Sequence, residues 1–165
     1  MLNFFRKKEK KTEETLVSPI NGKVVDIEQV PDPVFSQKLM GDGIAIEPVD
    51  GEVVSPVNGE IIQFFHTKHA IGIRSETGLE LLIHIGLETV ALNGEGFTGH
   101  VREGDKVKAG DSLITFDHAF IKEKAASTIT PIIITNGDII ETNEKKYMDD
   151  AKQGKTEIMY VKVKA

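Results

Sequence analysis

Five histidines, at positions 66, 69, 84, 100 and 118, are the side chains of this sequence best suited to chemistry near neutral pH. A neutral imidazole offers a nitrogen lone pair without help from a separate base, and histidine is among the residues that form covalent intermediates. Rival chemistries are thinly represented. The chain has no cysteine, which removes thiolate zinc sites, disulfides, redox pairs and a thiol nucleophile. It also lacks a glycine-rich phosphate loop, a dinucleotide fingerprint and an H-E-x-x-H or H-x-H pair. A histidine in an apolar strand is more often a hydrogen-bonded structural residue than a nucleophile or ligand. His66, His100 and His118 have no supporting pattern and are expected as surface residues.

His84 lies in Leu79-Glu80-Leu81-Leu82-Ile83-His84-Ile85-Gly86. At the period of two expected of a strand, Leu79, Leu81, Ile83 and Ile85 share the core face. Glu80, Leu82, His84 and Gly86 then face outward, which makes Leu82 an exposed apolar residue suited to docking. Phe65, Thr67 and His69 share a face if their stretch is extended. Nothing in the spacing alone brings the two segments together.

The elements that must hold these residues read as all-β. Asn21-Gly22, Asp50-Gly51, Asn58-Gly59, Asn93-Gly94 and Asn136-Gly137 are turn dipeptides, since Asn, Asp and Gly accept the positive φ of tight turns. Between them, β-branched runs at 23–25, 43–46, 71–73, 79–85, 132–135 and 158–163 predict short strands of a sandwich or barrel. Helix is scarce: Asp117 to Ser127 is the best candidate, with Asp117 as its cap, and a short turn is expected near Phe35 to Leu39. Ser18-Pro19-Ile20-Asn21-Gly22 recurs 37 residues later as Ser55-Pro56-Val57-Asn58-Gly59, which predicts duplicated hairpin units. The segment Val101 to Leu113, with Val107 and Leu113 expected inward, resembles a piece of biotinyl and lipoyl carrier domains.

Composition narrows the class further. The 165 residues carry 26 acids against 20 bases, a net charge of −6 that argues against a general nucleic-acid surface and for cationic partners. Residues 1–14 hold +2, so the rest holds −8. Residues 1–15 are expected as a flexible basic tail ahead of a domain over 16–165. A solvated tail is favoured over a membrane-surface anchor. The start lacks the apolar core and cleavage site of a secretory signal, and no apolar run is long enough to span a bilayer. A cytoplasmic, reducing compartment and a monomer are expected.

The segment Gly78-Leu79-Glu80-Leu81-Leu82-Ile83-His84-Ile85-Gly86-Leu87-Glu88-Thr89-Val90 closely resembles the active-site signature of glucose-type enzyme IIA components of the bacterial phosphoenolpyruvate-dependent sugar phosphotransferase system. Val30 to Phe35, Met40 to Gly43, Thr67 to Ala70, Leu92 to Phe97 and Ser127 to Pro131 extend the resemblance over about residues 16–165. It implies a flattened antiparallel β-sandwich with a duplicated hybrid motif and one or two short helices. It also implies a phosphocarrier, a transferase component rather than an ATP-dependent kinase. His84 would take the phosphoryl group from the carrier HPr and pass it to the IIB domain of a sugar permease. His69 would stabilise the group in transit, Thr67 would join its hydrogen-bond network, and Gly86 would leave room beside His84. Phe35, Leu39, Met40, Phe65, Leu82 and Val90 would form an apolar docking ring, with Asp32 and Glu88 meeting basic partner residues. Relatives of this type often carry Asp where Glu88 stands. No cofactor is implied. Zinc at His69 and His84 would require a carboxylate from a partner, and some relatives have regulatory protein targets.

Two other classes share single features with the sequence. A biotinyl or lipoyl module could use Lys68, yet the chain is about twice the size needed and lacks the attachment turn. A zinc hydrolase on a related duplicated fold lacks the H-x-H pair and a placed general base.

Overall fold

The computed structural model describes residues 11–165. Residues 1–10, most of the stretch expected as a basic tail, lie outside the described residues. Antiparallel strands dominate, in chain order β1 (Glu13–Val17), β2 (Gly22–Asp26), β3 (Asp42–Pro48), β4 (Glu52–Val54), β5 (Gly59–Phe64), β6 (Ala70–Ser75), β7 (Glu80–His84), β8 (Phe97–Gly99), β9 (Lys106–Val107), β10 (Ser112–Phe116), β11 (Thr130–Ile134), β12 (Ile140–Lys145), β13 (Met148–Ala151) and β14 (Glu157–Val163). Two short helices interrupt them, α1 (Pro33–Ser36) and α2 (His118–Lys124). An eight-stranded sheet runs β13-β2-β3-β11-β7-β6-β5-β9, accompanied by the three-stranded sheets β1-β14-β12 and β4-β10-β8. The all-β sandwich expected from the turn dipeptides is the architecture observed. β1 opens at Glu13, within the stretch expected as tail.

The sequence echo is a structural one. Gly22 opens β2 and Gly59 opens β5, each the first strand of a hairpin, with Gly22 opposite Pro48 and Gly59 opposite Ser75. Ser18 Oγ donates to the Ile20 carbonyl at 2.7 Å, and Ser55 Oγ to the Val57 carbonyl at 2.6 Å. The two copies also hold each other: Val54 N–H donates to Pro19 O at 2.8 Å, and Val17 N–H to Pro56 O at 3.1 Å. This reciprocity relates the halves by an approximate twofold. Both serines are fully buried, so these bonds satisfy hydroxyls that would otherwise be costly to desolvate.

Two apolar clusters fill the interior. The larger gathers the inner faces of the sheets, including Leu79, Leu81, Ile83 and Ile85, as the alternation predicts. The smaller lies on the opposite face of the large sheet and contains Val25, Ile27, Val30, Phe35, Leu82 and Ile133, among others. Leu82, expected outward and exposed, is therefore buried at 6% exposure. The reason is tertiary. The connection between β2 and β3, carrying α1, folds back across this face and covers it with Ile27, Val30 and Phe35, so β7 is apolar on both sides.

Helix α2 has the expected cap, Asp117 Oδ1 accepting from Phe120 N–H at 3.1 Å, but it stops at Lys124 instead of reaching Ser127. Backbone pairing with the segment after β7 takes over: Ala126 N–H donates to Leu87 O at 3.2 Å, and Leu87 N–H to Ser127 O at 2.9 Å. In the Val101 to Leu113 segment, Val107 and Leu113 face inward as expected. Asp105 and Asp111 each accept a backbone N–H, from Arg102 at 2.9 Å and Lys108 at 2.8 Å, fixing two similar turns.

Candidate functional site

β6 and β7 are antiparallel neighbours in the middle of the large sheet, with Ala70 opposite His84. That register sets His69, just before β6, against the end of β7, where Ile85 N–H donates to the His69 carbonyl at 2.7 Å. The two imidazoles meet edge to face, centroids 4.9 Å apart and planes at 82°. Phe35 packs on His84 at 5.1 Å and Phe65 on His69 at 5.5 Å. The pairing invisible in the spacing is thus a product of strand register.

The stretch from Phe65 to His69 is a tight turn between β5 and β6, so the extended conformation on which the shared face was conditional is absent. Lys68 N–H bonds back to Phe65 O at 2.8 Å, with Lys68 in the left-handed region at φ +60°. Thr67 and His69 nevertheless meet, because the turn folds Thr67 Oγ1 to 2.6 Å from His69 Nδ1. Both residues are buried, His69 at 4% exposure.

His84 is half-buried, and its Nδ1 lies 2.9 Å from the Gly86 carbonyl. A carbonyl oxygen only accepts, so Nδ1 carries the proton; in the neutral ring Nε2 then holds the lone pair. Burial pushes the His84 pKa down, opposed by the Gly86 hydrogen bond and the Asp32 carboxylate. Burial likewise lowers His69, to about 4, with the nearby His84 and His66 rings adding to the fall. Both imidazoles are therefore neutral at pH 7.

Gly86 has φ +73°, a conformation disfavoured for other residues. A Cβ there would come within 2.8 Å of both Ser127 O and Thr89 Cγ2. The space this glycine leaves is thus toward Ser127 and Thr89 rather than beside the His84 ring. Its conformation turns the carbonyl onto His84.

The expected docking residues divide by exposure. Leu39 (68% exposed), Met40 (42%) and Val90 (54%) are open to solvent. Phe65 is half-buried, while Phe35 and Leu82 are buried in the smaller cluster. Asp32 caps α1 by accepting from Val34 N–H at 3.0 Å and stands close enough to His84 to act on its charge. Glu88 is exposed and left-handed, with φ +61°. His66 and His100 are surface residues as expected. His118 departs from that expectation: it is half-buried, its Nε2 donating to the Pro48 carbonyl at 3.1 Å. No cluster of three or more metal-ligating side chains occurs among the described residues. None of their helices is long and apolar enough to cross a membrane.

Residues 14–140 match the family model for EIIA 1 of the phosphoenolpyruvate-dependent sugar phosphotransferase system. The chain is 59% identical over 155 residues to a PTS system glucose-specific EIIA component of Bacillus anthracis, covering 94% of each chain. It is 57% identical over 151 residues to the protein of the same description from Halalkalibacterium halodurans, covering 92% of this chain and 87% of the relative. Among solved structures, glucose permease IIA from Mycoplasma capricolum superposes with a TM-score of 0.83 at 35% identity, over 93% of this chain and 99% of that one. These similarities do not favour the carrier-module and hydrolase alternatives. The chain belongs to the EIIA 1 family of the phosphoenolpyruvate-dependent sugar phosphotransferase system and is a phosphocarrier component of sugar uptake.

Proposed function

We propose that His84 Nε2 is the atom that carries the phosphoryl group, received from phosphohistidine on HPr and passed to the IIB domain of a sugar permease. The observation that supports this most directly is the 2.9 Å contact of His84 Nδ1 with the Gly86 carbonyl, which leaves Nε2 as the free lone pair. In the transfer, that lone pair forms the new P–N bond as the bond to the donor imidazole breaks, its electron pair returning to the donor ring. Positive charge developing on the His84 ring is met by the Gly86 carbonyl and by Asp32. His69 acts from the side: with the Thr67 hydroxyl donating to Nδ1 across 2.6 Å, its Nε2 carries a proton to offer to a phosphoryl oxygen. Such a transfer depends mainly on positioning and charge stabilisation.

Exposed Leu39, Met40 and Val90 form the contact surface for partners, supported from below by Phe35, Phe65 and Leu82. Asp32 and Glu88 meet basic residues there, and the overall negative charge steers encounter more than it tightens binding. No resident metal or nucleotide is required, because the phosphoryl group arrives on an already activated P–N bond. The two imidazoles supply only two nitrogen ligands, so zinc would bind here only with a partner's carboxylate. The cytoplasm, where phosphoenolpyruvate is made, is the fitting compartment. Glucose, named for the relatives, is the proposed sugar of the permease served.

Mixed with phosphoenolpyruvate, enzyme I and HPr, the protein should acquire one phosphoryl group, acid-labile and alkali-stable as a phosphoramidate requires. His84→Ala should abolish labelling, and full labelling of that variant would refute the assignment.

A further inference from the structure

We propose that the groove beside the active-site turn, lined by Phe64, Phe65 and Val101 together with His66, Lys68 and Arg102, is a docking subsite for an acidic side chain of the proteins that exchange phosphoryl groups with His84. The proposal rests on the carrier reading above and adds to it the second charge that partners must present. The groove has a volume of about 430 Å³ and lies between the β5–β6 turn and the loop after β8. It begins one ring from the chemistry, since Phe65 both lines it and packs on His69 at 5.5 Å.

Its walls are fixed. Gly99 admits the Phe64 ring against the β8 backbone, where a Cβ would come within 2.7 Å of that ring. Glu103 ties the loop to β5 by accepting Phe64 N–H at 3.2 Å, and Asp105 accepts Arg102 N–H at 2.9 Å. Both carboxylates of the loop are thus engaged by backbone donors. Lys68 and Arg102, by contrast, are exposed and make no ion pair among the described residues. Glu103 also lines the groove, but Lys68 and Arg102 outnumber it, so the charged lining is net positive beside an apolar floor on a protein of net charge −6.

Asp32, whose carboxylate acts on His84 from another loop, has the opposite sign. A partner with a basic residue for Asp32 and an acidic residue for this groove can dock in only one rotation. Like-charge juxtaposition opposes the others, which is how interface charges set register.

The test compares wild type with Arg102→Glu and Arg102→Ala in phosphoryl transfer from HPr and onward to IIB, across a range of salt concentrations. Arg102→Glu should lower kcat/KM at least fivefold with one or both partners, through KM, and Arg102→Ala should lower it less. Added salt should narrow the difference. In parallel, titration of the 15N-labelled protein with unphosphorylated HPr and with IIB should shift the amides of Phe64, His66, Gly99 and Arg102. Wild-type kcat/KM with both partners overturns the subsite, as do shifts confined to the region of Leu39 and Val90. Shifts of the groove amides produced equally by inorganic phosphate alone, or by self-association, replace it with an anion site or a homodimer contact. Failure of the wild type itself to be labelled on His84 would refute the carrier reading instead.

Discussion

Neither histidine of the pair is unusual by type; each is made useful by what occupies its Nδ1. A carbonyl faces Nδ1 of His84 and a hydroxyl faces Nδ1 of His69, and the different roles proposed for the two rings rest on that difference. Burial keeps both neutral, and this has a measurable cost in acid. The unfolded chain takes up imidazole protons near pH 6.5, whereas folded His69 does so only near pH 4. Between those values the unfolded state binds more protons, so stability is full above about pH 6.5 and declines as pH falls toward 4. The loss from His69 should be on the order of 2 kcal/mol, allowing for water at the edge of the site. Urea unfolding followed from pH 7 to pH 4 checks this, and His69→Gln should flatten the slope. An unchanged slope in that variant would mean His69 is protonated as easily folded as unfolded.

The site depends on two connections, the turn between β5 and β6 and the bend after β7. The first brings Thr67 to His69 through a left-handed Lys68, and the second aims the Gly86 carbonyl at His84 through a left-handed Gly86. Gly86→Ala should therefore harm both fold and chemistry. The strained φ and the contacts at 2.8 Å with Ser127 and Thr89 predict a loss of about 1–3 kcal/mol in denaturant unfolding. Phosphorylation of His84 should slow by more than tenfold under conditions where the variant is still folded, because the Nδ1 anchor moves. Labelling at the wild-type rate would show that the carbonyl is not needed to hold the tautomer.

Over the molecule as a whole, the proposed phosphoryl acceptor stands at the end of a strand in the most supported part of the sheet. β7 is flanked by β6 and β11 within the eight-stranded sheet and is buried on both faces, whereas β9 is a two-residue strand at the sheet edge. Amide exchange should follow that gradient, slowest at Leu81 and Ile83 and faster at Lys106 and Val107. Equal protection at the two places would remove the argument that rigidity of the sheet centre positions His84.

Local order was legible in the chain itself. Turn dipeptides marked the hairpins, the alternation from Leu79 to Ile85 chose the core face of β7, and the repeated Ser-Pro-x-Asn-Gly segment announced a duplication that the structure realises as reciprocal hydrogen bonds. Those features depend on neighbours in sequence, where backbone preference and side-chain period act directly. The Gly78 to Val90 signature likewise placed the chain in its family. The pairing of His69 with His84 depends on the register of β6 against β7, and the burial of Leu82 on a distant connection folding over the sheet; no local period encodes either. Thr67 reached His69 through a turn where parity assumed a strand. Sequence determined which residues could react and where strands would form. Only the tertiary structure decided which imidazole nitrogen is free, because hydrogen-bond partners for a ring are supplied by backbone brought near in three dimensions.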